Sequence, residues 1–147
     1  MLEADIKAQL DQYLQLLEND IVLKVSVDSD DVSKDMLSLV EEIATMSSKI
    51  TVEKTTLERT PSFSVNRVGE DTGVVFAGIP LGHEFTSLVL ALLQVSGRAP
   101  KVDQSVIDQV KNINGEYHFE TYVSLSCHNC PDVVQALNMM SVINPGI

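Results

Sequence analysis

The chain has 147 residues and 44% apolar content, which suits one ordinary domain or two small ones with a real hydrophobic core. Its net charge of −11 repels phosphate backbones and anionic lipid surfaces, so nucleic acid and membrane partners are not expected. Because no apolar run could span a bilayer and the first residues lack the pattern of a secretory signal, we expect a cytoplasmic protein.

The first part of the chain predicts a helix followed by a βαβ unit. Apolar residues at helical spacing predict a helix over 3–18, and strict alternation in IVLKVSV predicts a strand over 21–27. An acidic turn at 28–31 offers capping side chains for a second helix, and a short strand at 50–52 follows that helix. A strand, helix and strand at this spacing predict two parallel strands.

The next part predicts an antiparallel hairpin and a buried helix. The strands are PSFSV at 61–65 and VVFAG at 74–78, joined by the turn-rich RVGEDTG. A broad apolar stripe predicts a helix over 85–95 that is packed on most sides and ends at Ser96-Gly97. We interpret residues 1–99 as one small α/β layer structure.

A joint at 100–103 leads to a second half with the same order of elements. It predicts a helix around Val106 to Ile113, a strand in YHFETYVSL at 117–125, and a cysteine-containing turn with a helix behind it. A shift of 97 positions carries the apolar residues between 36 and 50 onto those between 133 and 147. Any two amphipathic helices can be slid into register, but the flanking helix and strand agree as well, which favours a duplication.

The same shift aligns single positions of the two halves. It places Asp30 against Cys127, Ser33 against Cys130, and Ile50, the start of the parallel strand, against Ile147. The second unit therefore stops before its sheet is built, and a lone strand and helix leave a strand edge uncovered. We expect either a fragment of a longer protein or a chain that borrows strands from another copy, which leaves a homodimer open.

The two cysteines are the strongest candidates for chemistry. Cys127 is expected at a helix N-terminus, where unpaired N–H groups and the helix dipole stabilise a thiolate. Cys130 lies one turn further on, where it can close an intramolecular disulfide and release a partner, and Pro131 suits the first helical turn. A CxxC on a strand-to-helix turn favours thiol–disulfide exchange.

Other roles for the polar residues stay open. Two inert core cysteines are one alternative, and a metal site that recruits His83, His118 or His128 is another, although no second CxxC exists. His128 can tune the thiolate or simply face solvent. Glu84 opens the apolar helix, and its default role is that of a first-turn acid favoured by the dipole.

Two long stretches carry a family resemblance. FAGIPLGHEFTSLVLALL at 76–93 and FETYVSLSCHNCPDVVQALN at 119–138 resemble the amino-terminal domain of the bacterial alkyl hydroperoxide reductase flavoprotein subunit, an NADH-dependent peroxiredoxin reductase. The resemblance implies an α/β fold class of tandem thioredoxin-like folds. The first fold, without redox cysteines, would cover 1–99, and the second, incomplete here, would begin at 100–147.

The resemblance also implies a mechanism. Electrons would pass from NADH through FAD and a dithiol of the carboxy-terminal flavin domain to Cys127 and Cys130, and from there to the disulfide of a partner peroxiredoxin. Cys127 would attack the partner, Cys130 would resolve the mixed disulfide, and Glu84 would handle protons. No cofactor or metal site is expected in this chain, because FAD and NADH belong to the full-length protein. The alternative is a docking or dimerisation fragment without redox activity.

Overall fold

The computed structural model describes residues 2–147. None of the helices in this range is long and apolar enough to cross a membrane. In chain order the elements are α1 (Ala4–Leu14), β1 (Ile21–Ser26), α2 (Asp31–Thr45), β2 (Ile50–Lys54), β3 (Ser62–Arg67), β4 (Glu70–Phe76), a 3-10 turn (Gly82–Glu84), α3 (Phe85–Ser96), α4 (Gln104–Lys111) and α5 (Cys130–Ile143).

One four-stranded sheet in the order β2-β1-β3-β4 forms the centre of the first half. β1 pairs with β2 in parallel and with β3 in antiparallel orientation, and β3 pairs with β4 as a hairpin. The predicted βαβ unit and hairpin are therefore confirmed. The hairpin turn is shorter than predicted, because the strands continue until Arg67 pairs with Glu70 and Gly69, at φ 78, reverses the chain.

The core lies on β1 and the helices that pack against the sheet. The alternating apolar residues of β1 are fully buried, as the period of two requires when one face is covered. α3 is buried on most sides, as predicted, and ends at Gly97, whose φ of 119 allows its N–H to bond back to the Gln94 carbonyl. The buried apolar residues of α1, α2 and α3 join those of the strands in one cluster.

The second half is attached to the first through α5. Ser141 donates a hydrogen bond of 2.6 Å to the Thr72 carbonyl of β4, and Gly73 leaves room for this approach, because a Cβ there would meet the Ser141 hydroxyl at 2.7 Å. The Asn144 side chain donates to the carbonyls of Val110 and Ile113, which fastens the end of α4 to the end of α5. Buried polar side chains with satisfied hydrogen bonds therefore connect α4, α5 and β4.

The strand predicted at 117–125 is wrong. Residues 116–124, the linker segment, form neither helix nor strand and are exposed throughout. Aromatic and β-branched residues favour a strand only when a neighbouring strand accepts their backbone hydrogen bonds, and no strand of the part that the structure describes lies beside them. Instead, Tyr117 donates its N–H to the Gly146 carbonyl, and Glu120 pairs with Arg59 at 2.9 Å.

The helices of the two halves occupy corresponding positions. Moved by 97 residues, α2 would run over 128–142, and α5 runs over Cys130–Ile143. Moved in the same way, α1 would run over 101–111, and α4 runs over Gln104–Lys111. The duplication and the boundary after residue 99 stay predictions, because a second sheet is not formed within 2–147.

Candidate redox site

Cys127 and Cys130 form a disulfide at the start of α5. Their Cα atoms are 5.6 Å apart, within the ordinary range for a disulfide. The preceding turn is closed by a hydrogen bond of 3.0 Å from the Cys127 N–H to the Ser124 carbonyl, and Pro131 lies in the first turn of the helix. The intramolecular pairing that the CxxC spacing permits is therefore present.

The position of Cys127 differs from the prediction. The sequence predicts it at the helix N-terminus itself, but α5 begins at Cys130 with Asn129 as N-cap residue, and Cys127 lies in the preceding dithiol turn (124–129). The Cys130 N–H nevertheless donates to the Cys127 sulfur at 3.2 Å. A thiolate formed at Cys127 on reduction would thus receive one of the unpaired amide groups that begin every helix.

The half without cysteines has an equivalent hydrogen bond at the start of α2, where a carboxylate oxygen takes the place of the sulfur as acceptor. Asp30 caps α2, and its Oδ1 accepts the Ser33 N–H at 2.7 Å. This hydrogen bond holds the pKa of the Asp30 carboxyl below its usual value, because it favours the charged form. The positions aligned by the predicted repeat, Asp30 with Cys127 and Ser33 with Cys130, therefore make equivalent contacts.

Glu84 is a buried carboxylate with one free oxygen. It ends the 3-10 turn before α3 and is only 3% exposed. Its Oε1 accepts the Ser87 hydroxyl at 2.7 Å, while Oε2 is buried and has no hydrogen-bond partner among residues 2–147. The side chain makes no capping hydrogen bond to a backbone N–H of α3. A buried carboxyl oxygen without a partner costs free energy and is typical of functional sites.

His83, the residue before Glu84, connects the 3-10 turn to the dithiol turn. The His83 N–H donates to the Leu125 carbonyl at 3.0 Å. The His83 ring meets the His128 ring edge-on, with 4.5 Å between the ring centroids. Gly82, at φ 59, permits this approach, because a Cβ there would lie 3.1 Å from the Leu125 carbonyl oxygen. The structure thus brings together His83, His128 and the disulfide.

Ser87, three residues after Glu84, connects the start of α3 to the helix that carries the dithiol. Ser87, on α3, accepts a hydrogen bond of 3.2 Å from the Gln135 side chain of α5. Sequence reasoning missed both residues. The available signal was a polar side chain inside each apolar stretch, in FTSLVLALL for Ser87 and in VVQALNMM for Gln135. Periodicity does not show that two such positions face each other across 48 residues.

His118 lies apart from the cysteines. Its Nε2 is 3.6 Å from Glu120, and together with Glu58 these side chains form the one cluster of three potential metal ligands within the described range. All three are exposed, and Glu120 is already paired with Arg59, whose positive charge opposes a cation. The cysteine–histidine metal site considered from the sequence is not assembled in residues 2–147.

A cleft of about 1100 Å³ lies between β4, the linker segment and α5. Its walls include Val75, Phe119 and Leu137, and Glu84 forms part of its lining. Asn138, on α5, also lines the cleft, and its Nδ2 is buried without a hydrogen-bond partner in the described part of the chain. The lining of the cleft therefore combines apolar walls with two polar residues, Glu84 and Asn138, that each have a buried polar atom without a partner in the described range.

No family model matches the chain. An NADH dehydrogenase of Bacillus subtilis (strain 168) is 81% identical over all 147 residues. The alkyl hydroperoxide reductase protein AhpF of Staphylococcus epidermidis (strain ATCC 12228 / FDA PCI 1200) is 64% identical over the same range. The chain spans 29% of the length of each of these two relatives.

Solved structures give the fold. The NTD_N/C domain of the alkylhydroperoxide reductase AhpF from Enterococcus faecalis superposes with a TM-score of 0.87 at 30% identity, covering 99% of this chain and 77% of that one. A protein disulfide oxidoreductase from Aeropyrum pernix superposes with a TM-score of 0.82 at 22% identity, covering 100% and 73%. The predicted α/β, thioredoxin-like fold class is confirmed. The chain belongs to the AhpF family of alkyl hydroperoxide reductases and corresponds to the amino-terminal domain of AhpF.

Proposed function

We propose that the chain is a thiol–disulfide relay in which Cys127 and Cys130 pass electrons to the disulfide of a partner peroxiredoxin. The observation that carries the proposal is the cysteine pair at the start of α5, with the Cys130 N–H on the Cys127 sulfur. Membership in the AhpF family supports the same function, since proteins of that name are alkyl hydroperoxide reductases. The chain would then be one part of an NADH-dependent peroxiredoxin reductase of the cytoplasm.

The proposed reaction is a two-step exchange. The Cys127 thiolate attacks one sulfur of the partner disulfide, which forms a mixed disulfide and releases the other partner sulfur as a thiolate. The Cys130 thiolate then attacks the Cys127 sulfur, which closes the Cys127–Cys130 disulfide and releases the second partner sulfur. Two electrons leave this chain, and the two protons of its dithiol end on the partner's thiols.

Glu84 is the proposed acid–base residue of this exchange. Cys130 must lose its proton before it attacks, and the unpaired Oε2 of a buried carboxylate is a suitable acceptor. The contacts of His83 with the dithiol turn and of Ser87 with α5 hold Glu84 at the boundary of the two halves. The same carboxyl group would return the proton to the departing partner thiolate.

The residues of the described range do not fit FAD or NADH. A dinucleotide site needs a glycine-rich turn after the first strand and a free helix N-terminus for the pyrophosphate. In this chain β1 leads into the acidic turn 28–31, and the Asp30 carboxylate already occupies the N-terminus of α2. We therefore assign FAD, NADH and the upstream dithiol to a carboxy-terminal flavin domain of the longer protein.

A docking or dimerisation module is the second candidate function. The observation that favours it is the apolar cleft beside the linker segment, where Phe119 and Tyr122 are 53% and 81% exposed. In this case the partner, a peroxiredoxin or a second copy of the chain, would bind without any electron transfer. Replacement of both cysteines by serine would then leave binding unchanged.

Electron transfer to an oxidised peroxiredoxin tests the proposal directly. The chain is reduced with dithiothreitol, freed of reductant, mixed with the partner, and quenched with a thiol-alkylating reagent for mass spectrometry. We expect the partner disulfide to disappear while the Cys127–Cys130 disulfide forms. The double variant Cys127→Ser, Cys130→Ser is the control. Partner binding by both proteins without any transfer would reject the relay and favour the docking module.

A further inference from the structure

We propose that Ser87 and Gln135 are positioning residues, which hold the Glu84 carboxylate in a fixed relation to the dithiol helix α5. The proposal rests on the acid–base role proposed for Glu84 and adds the residues through which that role depends on α5. Neither side chain has a hydrogen bond to Cys127 or Cys130 among residues 2–147, so both would act through the carboxylate.

A directional chain of hydrogen bonds carries the proposal. The Gln135 Nε2 donates to the Ser87 Oγ at 3.2 Å, and the Ser87 hydroxyl donates to the Glu84 Oε1 at 2.7 Å. A serine hydroxyl has one hydrogen, so accepting from Gln135 directs that hydrogen towards the carboxylate. Hydrogen bonds in such a chain strengthen one another where water is excluded, and both Ser87 and Glu84 are almost fully buried.

The chain of hydrogen bonds leaves the two carboxylate oxygens unequal. Oε1 is fixed by Ser87, whereas Oε2 is buried and unpaired among residues 2–147. A carboxylate held through one oxygen cannot rotate freely, so the other oxygen keeps a defined direction. Oε2 is therefore the carboxylate oxygen that is available to accept a proton.

Gln135 ties this arrangement to the dithiol. It lies five residues after Cys130, which is about 7.5 Å along the axis of α5 at 1.5 Å per residue. One rigid helix thus carries both the resolving cysteine and the donor that orients the carboxylate through Ser87. The other end of the same boundary is fixed by His83 on the Leu125 carbonyl.

Ser96, also on α3, is a buried serine whose hydroxyl does not contact Glu84. Its hydroxyl donates to the Leu93 carbonyl of its own helix at 2.7 Å and accepts the Glu18 N–H at 3.3 Å, and it is as buried as Ser87. Ser87 instead directs its hydroxyl to a side chain that precedes the helix and accepts from a different helix. Ser96→Ala is therefore a matched control, because it removes a buried hydroxyl without touching the Glu84 chain.

A double-mutant cycle tests whether Gln135 acts through Glu84. The full 147-residue chain is reduced, freed of reductant and oxidised with glutathione disulfide, and the rate constant of dithiol oxidation is measured by stopped flow for Glu84→Gln, Gln135→Leu and the double variant. We expect Glu84→Gln to slow oxidation by about tenfold or more. Gln135→Leu should slow it by about threefold, and it should have no further effect once Glu84 is Gln.

A second set of variants, at Ser87 and Ser96 of α3 and at Gln109 of α4, controls for effects on folding. Ser87→Ala should slow oxidation about as much as Gln135→Leu, and Ser87→Thr, which keeps the hydroxyl, should restore most of the rate. Ser96→Ala and the exposed Gln109→Leu should lower the rate by less than about twofold, since surface and structural changes do not reach the carboxylate. Thermal melts identify any variant that fails to fold.

The outcomes separate the two proposals. Equal slowing by Gln135→Leu in both backgrounds, or slow oxidation in Ser87→Thr, overturns the positioning role while leaving Glu84 in place. No change in Glu84→Gln rejects the acid–base role and the positioning role together. A dithiol that does not react with glutathione disulfide in the unmodified chain rejects the relay itself.

Discussion

At the residue scale, the two cysteines have different surroundings although they share one disulfide. The Cys127 sulfur accepts the first amide hydrogen of α5, while Cys130 supplies that amide and begins the helix. A hydrogen bond to sulfur favours the thiolate over the thiol, so the difference makes Cys127 the stronger candidate for attack on a partner. Cys130 is left as the resolving thiol.

This difference predicts opposite behaviour of the single variants. Cys130→Ser should accumulate a mixed disulfide between Cys127 and the oxidised partner, because no second thiol can resolve it. Cys127→Ser should form at least about tenfold less, since among residues 2–147 no amide donates to the Cys130 sulfur as one does to Cys127. Non-reducing electrophoresis and mass spectrometry after mixing measure both species. Equal trapping by the two variants would contradict the assignment of roles.

The candidate site was partly predictable from its residues. Cys127 and Cys130 stand three positions apart, so their pairing is a local property that spacing alone can indicate. Glu84 was singled out through a family resemblance, and its catalytic role stays a prediction. Ser87 and Gln135 were missed because their importance arises from a contact between α3 and α5, and a single sequence carries no record of such contacts.

At the scale of elements, the linker segment depends on side-chain contacts rather than on a sheet. Arg59 binds Glu120 at 2.9 Å, and the Tyr122 hydroxyl donates to the same carboxylate at 2.9 Å. The hydrogen bond from Arg59 holds the pKa of Glu120 below its usual value. The pair is exposed, so its contribution to global stability is small, but it is the principal side-chain tie of this segment to the first half.

Acidification should therefore loosen the linker segment. Because the folded-state pKa of Glu120 is lowered, the pair contributes fully above the unfolded-state pKa and is lost as the pH falls through the folded-state value. We expect backbone order parameters of residues 118–123 to fall over that pH range. In Arg59→Ala they should already be low at neutral pH, and further acidification should change them little. An unchanged order parameter in Arg59→Ala would show that the pair does not hold the segment.

The elements that the sequence predicted well are those whose periodicity is local. Helices α2, α3 and α5 and strand β1 each carry an apolar pattern that needs no knowledge of the neighbours. The prediction of a strand at 117–125 was wrong because it rested on amino-acid composition alone. Strand residues need a partner strand for their backbone groups, and the partner is determined by the tertiary structure.

At the scale of the whole molecule, the two halves are joined by buried polar side chains near the end of α5. Asn144 donates to the carbonyls of Val110 and Ile113, and Ser141 donates to that of Thr72. The Thr72 and Ile113 carbonyls would lose the donor that the structure gives them, whereas the Val110 carbonyl would keep the Ile113 N–H at 3.2 Å. The junction is thus specific in its hydrogen bonds as well as in its shape.

Asn144→Ala should destabilise this junction. The substitution removes both side-chain hydrogen bonds to the end of α4 and leaves the Ile113 carbonyl without its donor, and we expect a loss of about 1–3 kcal/mol in the free energy of unfolding. Urea denaturation measures this loss. Asn114→Ala, at an exposed position with no such contact, should change stability by less than about 0.5 kcal/mol. Equal effects of the two substitutions would show that the Asn144 contacts do not stabilise the junction.

The order of the elements in the first half was predictable, since a βαβ unit followed by a hairpin leaves few ways to build one sheet. The predicted duplication aligned α2 with α5, but it could not show how the second half is attached. That attachment uses Gly73, Ser141 and Asn144. No sequence pattern distinguishes these residues, because their role depends on the packing of α5 against β4.

The hydrogen bond from the Cys130 amide to the Cys127 sulfur links a folding equilibrium to a redox equilibrium. In this structure the acceptor is the neutral sulfur of a disulfide, and a Cys127 thiolate formed on reduction would offer the same amide a charged acceptor. An amide donor binds a charged acceptor more strongly than a neutral one, so the amide at the first turn of α5 stabilises the reduced state more than the oxidised state. By thermodynamic reciprocity, reduction in turn strengthens the start of the helix. A hydrogen bond that is stronger to the thiolate than to the disulfide sulfur stabilises the reduced state and thereby raises the reduction potential of the dithiol.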